Sequence, residues 1–291
     1  MKEIVDEIIE AYRKAKSIDK VQDIREFNTP GYTGEFLVKN QGETIMLDQF
    51  RSIVGKLLYY TTNISPDCAN AVRELSQHMA NPNESHWRSL GRVVGYLKQK
   101  KNHTLVYREP NSYRSVSYVD SNYATNTDNR RSVSGFVNTI GGMITNWTSK
   151  TQSTVSLSSA EAEYIALGMC AQETVFQNGL LLELGDCEKP GLIKEDNTGA
   201  IFLVKNRQVS PRTKHIDVRH HFIRDLHDDN ELLVEFERGY SNVSDVLTKN
   251  VDEATFKRHM PSLLYGNLKK ILSNCTRENV KQDASAASRK S

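Results

Sequence analysis

The chain has 291 residues, 38% of them hydrophobic and 25% charged, with 38 Lys and Arg against 36 Asp and Glu. That is long enough for two modest domains with real cores, and a net charge of +2 excludes a histone-like coat of positive charge, leaving nucleic-acid contact to local patches. Cys68, Cys170, Cys187 and Cys275 show no paired spacing, which argues against zinc or a disulfide framework and for reduced thiols inside a cell, and no apolar run is long enough to span a bilayer.

The N-terminus, MKEIVDEIIEAYRK, predicts an amphipathic helix rather than a signal peptide. A turn-rich stretch follows, broken by Pro30, Gly31 and Gly34. Phe50, Ile53, Val54, Leu57 and Leu58 mark one face of a helix. The next helix opens at Pro66, continues through Ala69, Val72 and Leu75, and ends at Asn81-Pro82; a third starts from Ser85 as its cap. Together they predict a three-helix bundle closed by Lys98, Lys100 and Lys101.

The texture then changes. Runs rich in Val and Tyr at 104–109 and 113–120 predict short strands, and 135–149 reads as a hairpin turning at Gly141-Gly142. Ser158 and Glu161 form a capping box for a long helix. A strand at 191–196 leads into a helix from Asp196 or Asn197, and 214–229 predicts another helix. The strand 231–239 and a last helix from about Asn242 follow; residues 276–291 read as a polar, disordered tail. This order is that of an α/β fold, a mixed sheet flanked by helices and preceded by a small helical bundle.

Asp120, Glu163, Asp196 and Asp245 each stand where a strand or turn meets a helix. Sites in such sheets form beyond strand ends, so one mouth can gather all four. Acids so gathered repel one another unless divalent cations hold them. A metal pair on carboxylates suits in-line attack on a phosphodiester. Glu161 competes with Glu163, but two residues apart on a helix means nearly opposite faces. The capping box already occupies Glu161.

At these residues a resemblance becomes specific. The strings YVDSNYA, RRSVSGFV, SKTQSTVSLSSAEAEYIAL, DNTGAI, RTKHIDVRHHFIR and DVLTK resemble the ribonuclease H domain of copia-type LTR retrotransposon Pol polyproteins. FRSIVGKLLYYTTNISPDCANAV and NPNESHWRSLGRVVGYLK are similar to the thumb and connection region of the reverse transcriptase that precedes it. The resemblance runs from about residue 46 to about 266 and implies four parts: an N-terminal helix and extended segment at 1–45, a thumb- or connection-like region at 46–109, a ribonuclease H-like domain at 110–266, and a polar tail at 267–291.

It also implies that Asp120, Glu163, Asp196 and Asp245 are the catalytic acids and the ligands of two Mg²⁺ ions, with Mn²⁺ as the substitute. Asp120 and Asp245 would hold one ion; Asp120, Glu163 and Asp196 would hold the other. The implied reaction is hydrolysis of the RNA strand of an RNA–DNA hybrid during reverse transcription, leaving a 5′ phosphate and a 3′ hydroxyl. The implied partners are the hybrid and the palm and fingers of the reverse transcriptase, in cis or in trans, with no membrane. The implied location is intracellular, in cytoplasmic virus-like particles or the nucleus. Two positions depart from the family pattern. Asn122 and Tyr123 stand where an acid and a tryptophan are common, and the loop after the last strand, ERGYSN, lacks a histidine associated with product release.

Arg212, Lys214 and Lys150 are candidate phosphate contacts. His215, His220, His221 and His227 lack the companions of a tetrahedral zinc set and read as packing residues, as do Trp87 and Trp147. No YxDD string occurs in the chain, so polymerase activity is not expected of it. The alternative to a nuclease is a catalytically silent remnant that only binds nucleic acid or a partner chain. An integrase-type recombinase is disfavoured, because the acids run Asp, Glu, Asp, Asp rather than ending in a helical glutamate.

Overall fold

The computed structural model describes residues 2–100, 105–107, 109, 112–185, 188–206 and 217–264, and the side chains of all these except 217–221. In the first helix, α1 (Lys2–Ala15), Val5, Ile8, Ile9 and Tyr12 recur at helical spacing and are buried. They pack with α2 (Leu47–Asn63), α3 (Ala69–Ser76) and α4 (Glu84–Lys100) around one core that includes Phe50, Leu57, Val72 and Leu90. The bundle therefore has four helices rather than the three expected. The apolar stripe of α1 has nowhere else to be buried and lies against α2 and α4. Trp87 is fully buried with its ring edge-on to Phe50, and its indole N–H donates to the Ile45 carbonyl at 2.9 Å.

Two local expectations are corrected. Asn83, not Ser85, caps α4: its Oδ1 accepts the His86 amide at 3.1 Å and the Ser85 hydroxyl at 2.7 Å. Of the strand expected at 104–109, the described residues Leu105, Val106 and Tyr107 form none. The Val106 amide donates instead to the Leu264 carbonyl at 3.0 Å.

The second half builds a five-stranded sheet in the order β3-β2-β1-β4-β5. Its strands are β1 (Ser115–Asn122), β2 (Val133–Ile140), β3 (Met143–Thr151), β4 (Gly191–Glu195) and β5 (Leu232–Phe236). The first three form an antiparallel meander, and β2 turns into β3 through Gly141 and Gly142, whose φ values of 58° and 80° suit a tight hairpin. β1, β4 and β5 are parallel and need helical crossovers, supplied by α5 (Ser159–Glu183), α6 (Thr198–Lys205) and α7 (Asp217–Asp228). This is the mixed sheet flanked by helices that the sequence predicts, behind a helical N-terminal region.

Alternation along the strands divides the two faces. Val119, Phe136, Ile193 and Val234 face α5 and pack on Tyr164 and Leu167. Val137 and Ile144 point the other way, into the cluster shared with the bundle. The last helix of the sequence reading is two helices, α8 (Asp245–Thr248) and α9 (Glu253–Leu264). Lys249 leaves helical geometry with φ at −145°, and Asp252 restarts the chain by accepting the Thr255 amide at 3.0 Å.

Candidate active site

Because β1 and β4 are parallel, their C-terminal ends open at the same edge of the sheet. Asp120 lies near the end of β1, and Asp196 directly follows β4. Asn197 caps α6, its Oδ1 accepting the Ala200 amide at 3.1 Å, so the chain turns sharply at Asp196. Glu163 arrives from the first turns of α5. That helix start is fixed by Ser158, whose Oγ accepts the Glu161 amide, while the Glu161 carboxylate accepts the Leu157 amide at 2.7 Å. Gln152 braces the same turn by donating to the Ala162 carbonyl at 2.9 Å. Glu161 is thus spent on the cap, and Glu163 is free to face the strand ends.

Asp245 is the first residue of α8. Two features set it there. Asn242, fully buried, donates to the Val119 carbonyl at 2.7 Å and accepts from the Ser244 hydroxyl at 2.5 Å. Gly135, opposite Asp120 across the β1–β2 ladder, leaves room for the α8 backbone; a Cβ there would stand 2.9 Å from Leu247 Cβ. Asn122, one of the two departures from the family pattern, donates to the Thr248 carbonyl at 3.2 Å and ties β1 to α8.

The structure brings all four predicted acids together, in two overlapping groups. Carboxylate oxygens of Asp120, Asp196 and Asp245 lie within 4.8 Å of one another, and so do those of Glu163, Glu195 and Asp196. Asp196 is common to both. Asp120 and Glu163 are buried, and Asp196 and Asp245 are half-buried. Crowding and burial act in the same direction. Burial raises the Asp120 carboxyl pKa, with Lys249 opposing and Asp245 adding to the rise. The Glu163 carboxyl is pushed up to about 10, first by burial and then by Glu195, Asp120 and Asp196. Asp196 and Asp245 are raised by burial as well. Such a cluster has the hard oxygen donors that divalent cations take, and its residues fit such ions: Glu163 Oε2 is buried without a hydrogen-bond partner.

No family model matches the chain. Over 208 residues it is 36% identical to the retrovirus-related Pol polyprotein from transposon TNT 1-94 of Nicotiana tabacum, covering 72% of this chain and 16% of that protein. Over 210 residues it is 34% identical to the corresponding polyprotein from transposon RE2 of Arabidopsis thaliana, covering 72% of this chain and 14% of the relative. The chain belongs with the copia-type, retrovirus-related Pol polyproteins. It spans less than a fifth of the length of these two relatives. Among solved structures, LC11-RNase H1 isolated from compost aligns with 51% of this chain and 99% of its own, at 13% identity and a TM-score of 0.38.

In this Pol-related chain, sequence reasoning missed two members of the site. Glu195 is fully buried among the acids. Strand alternation could have found it, since Glu195 shares the inward face of β4 with Ile193. Lys249 bridges to Asp245 at 2.9 Å, and its pKa is raised by Asp120, Asp245 and Asp196 against the opposing effect of burial. Its place one helical turn after Asp245 was the available signal. The Thr248 hydroxyl completes the rim by donating to Asp120 Oδ2.

Lys150 is exposed on β3. Arg212, Lys214 and His215 lie outside the described residues, as does the tail at 276–291, and the side chains of His220 and His221 are not described. His227 lies 4.0 Å from Asp228. Trp147 is half-buried and donates to the Thr61 carbonyl at 2.9 Å, a packing role. Among the described residues no helix is long and apolar enough to cross a membrane.

Proposed function

We propose that this chain is the ribonuclease H of a copia-like Pol polyprotein, a Mg²⁺-dependent endonuclease that hydrolyses the RNA strand of RNA–DNA hybrids during reverse transcription. The observation that carries the reading is the convergence of Asp120, Glu163, Asp196 and Asp245 at the ends of β1 and β4 in a chain of that family. Asp120, Asp196 and Asp245 would hold one ion, and Glu163, with Asp196 and Asp120, the other. When bound, a metal pair activates the attacking water and neutralises charge on the departing 3′ oxygen.

The protein's own groups do the positioning. Thr248 holds Asp120 in one rotamer through its hydroxyl. Lys249 balances Asp245 and keeps a cation at the rim, where a phosphodiester can approach. Gly239 allows the segment after β5 to pass close to Asp196; a Cβ there would stand 2.9 Å from Asp196 Oδ2.

The test is cleavage of a labelled RNA–DNA hybrid with Mg²⁺, beside Asp120→Asn and duplex DNA. Hybrid-specific cleavage that leaves 3′ hydroxyls and disappears in the variant is the expected result. A folded chain that binds hybrid without cutting it would replace this reading with the silent remnant.

A further inference from the structure

Glu195 is the residue of the site that neither the strand-end pattern nor the four-acid set accounts for. Its side chain is fully buried. One oxygen, Oε1, accepts the Asn197 amide at 2.8 Å, whereas Oε2 is buried with no hydrogen-bond partner. Glu163 Oε2 is in the same state. The two side chains reach one point from different elements, β4 and α5, and with Asp196 they place carboxylate oxygens within 4.8 Å of one another. The cation that the protein itself supplies, Lys249, is bound on the other side, to Asp245.

A buried carboxylate is retained at a cost unless hydrogen bonds or a cation compensate it. At this position strand alternation calls only for an apolar side chain like that of Ile193. We propose that Glu195 is a fifth carboxylate ligand of the centre, completing with Glu163 and Asp196 the seat of one of the two divalent cations. The proposal rests on the metal-dependent reading above. It goes further in giving that seat three carboxylates from this end of β4 and α5, with Glu195 as its deepest donor. A seat so rich in charged hard oxygens should be the tighter of the two.

The test is calorimetric titration of the metal-free full chain with Mg²⁺ and with Mn²⁺, for the unaltered protein, Glu195→Gln and Asp120→Asn. Glutamine keeps the shape and the acceptor for the Asn197 amide while removing the charge. The expected result is at least about a tenfold loss of affinity for the tighter ion in Glu195→Gln, with the weaker ion retained. Unchanged affinity and stoichiometry in Glu195→Gln, with a clear loss in Asp120→Asn, would overturn the role of Glu195 and leave the metal site standing. An unaltered protein that binds neither ion would overturn both.

Should Glu195→Gln fail to fold, anomalous scattering from Mn²⁺ in crystals of the unaltered chain decides the matter. A peak within about 2.5 Å of Glu195 Oε2 is the expected position. A peak that touches Glu163 and Asp196 but not Glu195 would overturn the proposal.

Discussion

The two halves of the molecule bury acids in opposite ways. In the helical half Asp67 is buried, yet it accepts hydrogen bonds from the Ser65 hydroxyl and the Tyr96 hydroxyl, each at 2.5 Å. Glu74 lies 3.5 Å from the Arg73 guanidinium and accepts from Asn250 at 2.9 Å. In the sheet half, Glu163 and Glu195 each keep a buried oxygen with no partner. A fold that satisfies its acids in one half has no general difficulty in doing so. The unsatisfied acids therefore mark the place where something outside the polypeptide is expected, and the satisfied ones mark structure.

The largest expected effect sharpens that contrast. Asp120→Asn should lower hybrid cleavage by about a hundred- to a thousandfold or more. In the same protein the thermal midpoint measured in chelator should stay level or rise, because a repelling charge has been removed. A variant that cleaves normally would place the chemistry elsewhere.

Deleting a satisfied acid should do the reverse. Asp67→Ala leaves the Tyr96 and Ser65 hydroxyls buried without their acceptor and should cost about 2–6 kcal/mol in denaturant unfolding, from roughly 1–3 kcal/mol for each orphaned group. Cleavage per folded molecule should be unchanged. Equal losses of activity and stability in both variants would erase the distinction between the halves.

The pH response should also separate them. The Glu163 carboxyl moves from 4.5 to about 10 in the native chain. The stability this gives is whole below pH 4.5 and is lost as the pH rises toward 10, since the native state binds the proton more tightly than the unfolded chain. In the bundle, His78 stacks on His86 with ring centroids 4.1 Å apart. Burial, with His86 adding to it, lowers the His78 pKa from 6.5 to about 4. Its contribution is whole above pH 6.5 and is lost as the pH falls toward 4. Thermal melts in chelator should therefore fall from about pH 7 to about pH 9, and saturating Mg²⁺ should flatten that limb while leaving the acid limb intact. A high-pH limb indifferent to Mg²⁺ would separate Glu163 from any metal.

The smallest expected effect concerns positioning. Thr248→Val keeps the shape of α8 but removes the hydroxyl that holds Asp120. It should cost about 1 kcal/mol of stability and lower kcat severalfold with KM for the hybrid nearly unchanged. A change in KM alone would assign Thr248 to substrate contact instead.

Much of this was legible in the residues. The apolar spacing of α2, the Gly141-Gly142 turn and the Ser158 cap follow from short-range geometry and sit where that geometry requires. The preference for Glu163 over Glu161 followed from helical periodicity combined with the cap. The errors were also local. Ser85 gave way to Asn83 because two cap-forming side chains lay two residues apart, and Asn83 is the one that accepts the His86 amide, with Ser85 donating to it. The final helix split because Asp252 offers a second start that outcompetes continuation through Lys249.

By itself the sequence determined most of the elements, their order and the family, and it singled out four candidate acids, since each of these is written in periodicity or in contiguous strings. Only the tertiary structure decided that α1 joins the bundle, that Asp196 belongs to both groups of acids, and that Glu195 and Lys249 stand among them. Those facts depend on distances between residues far apart in the chain. Parallel pairing of β1 with β4 and the seating of α8 over Gly135 set those distances, whereas strand alternation and helical spacing give Glu195 and Lys249 a face but not a neighbour.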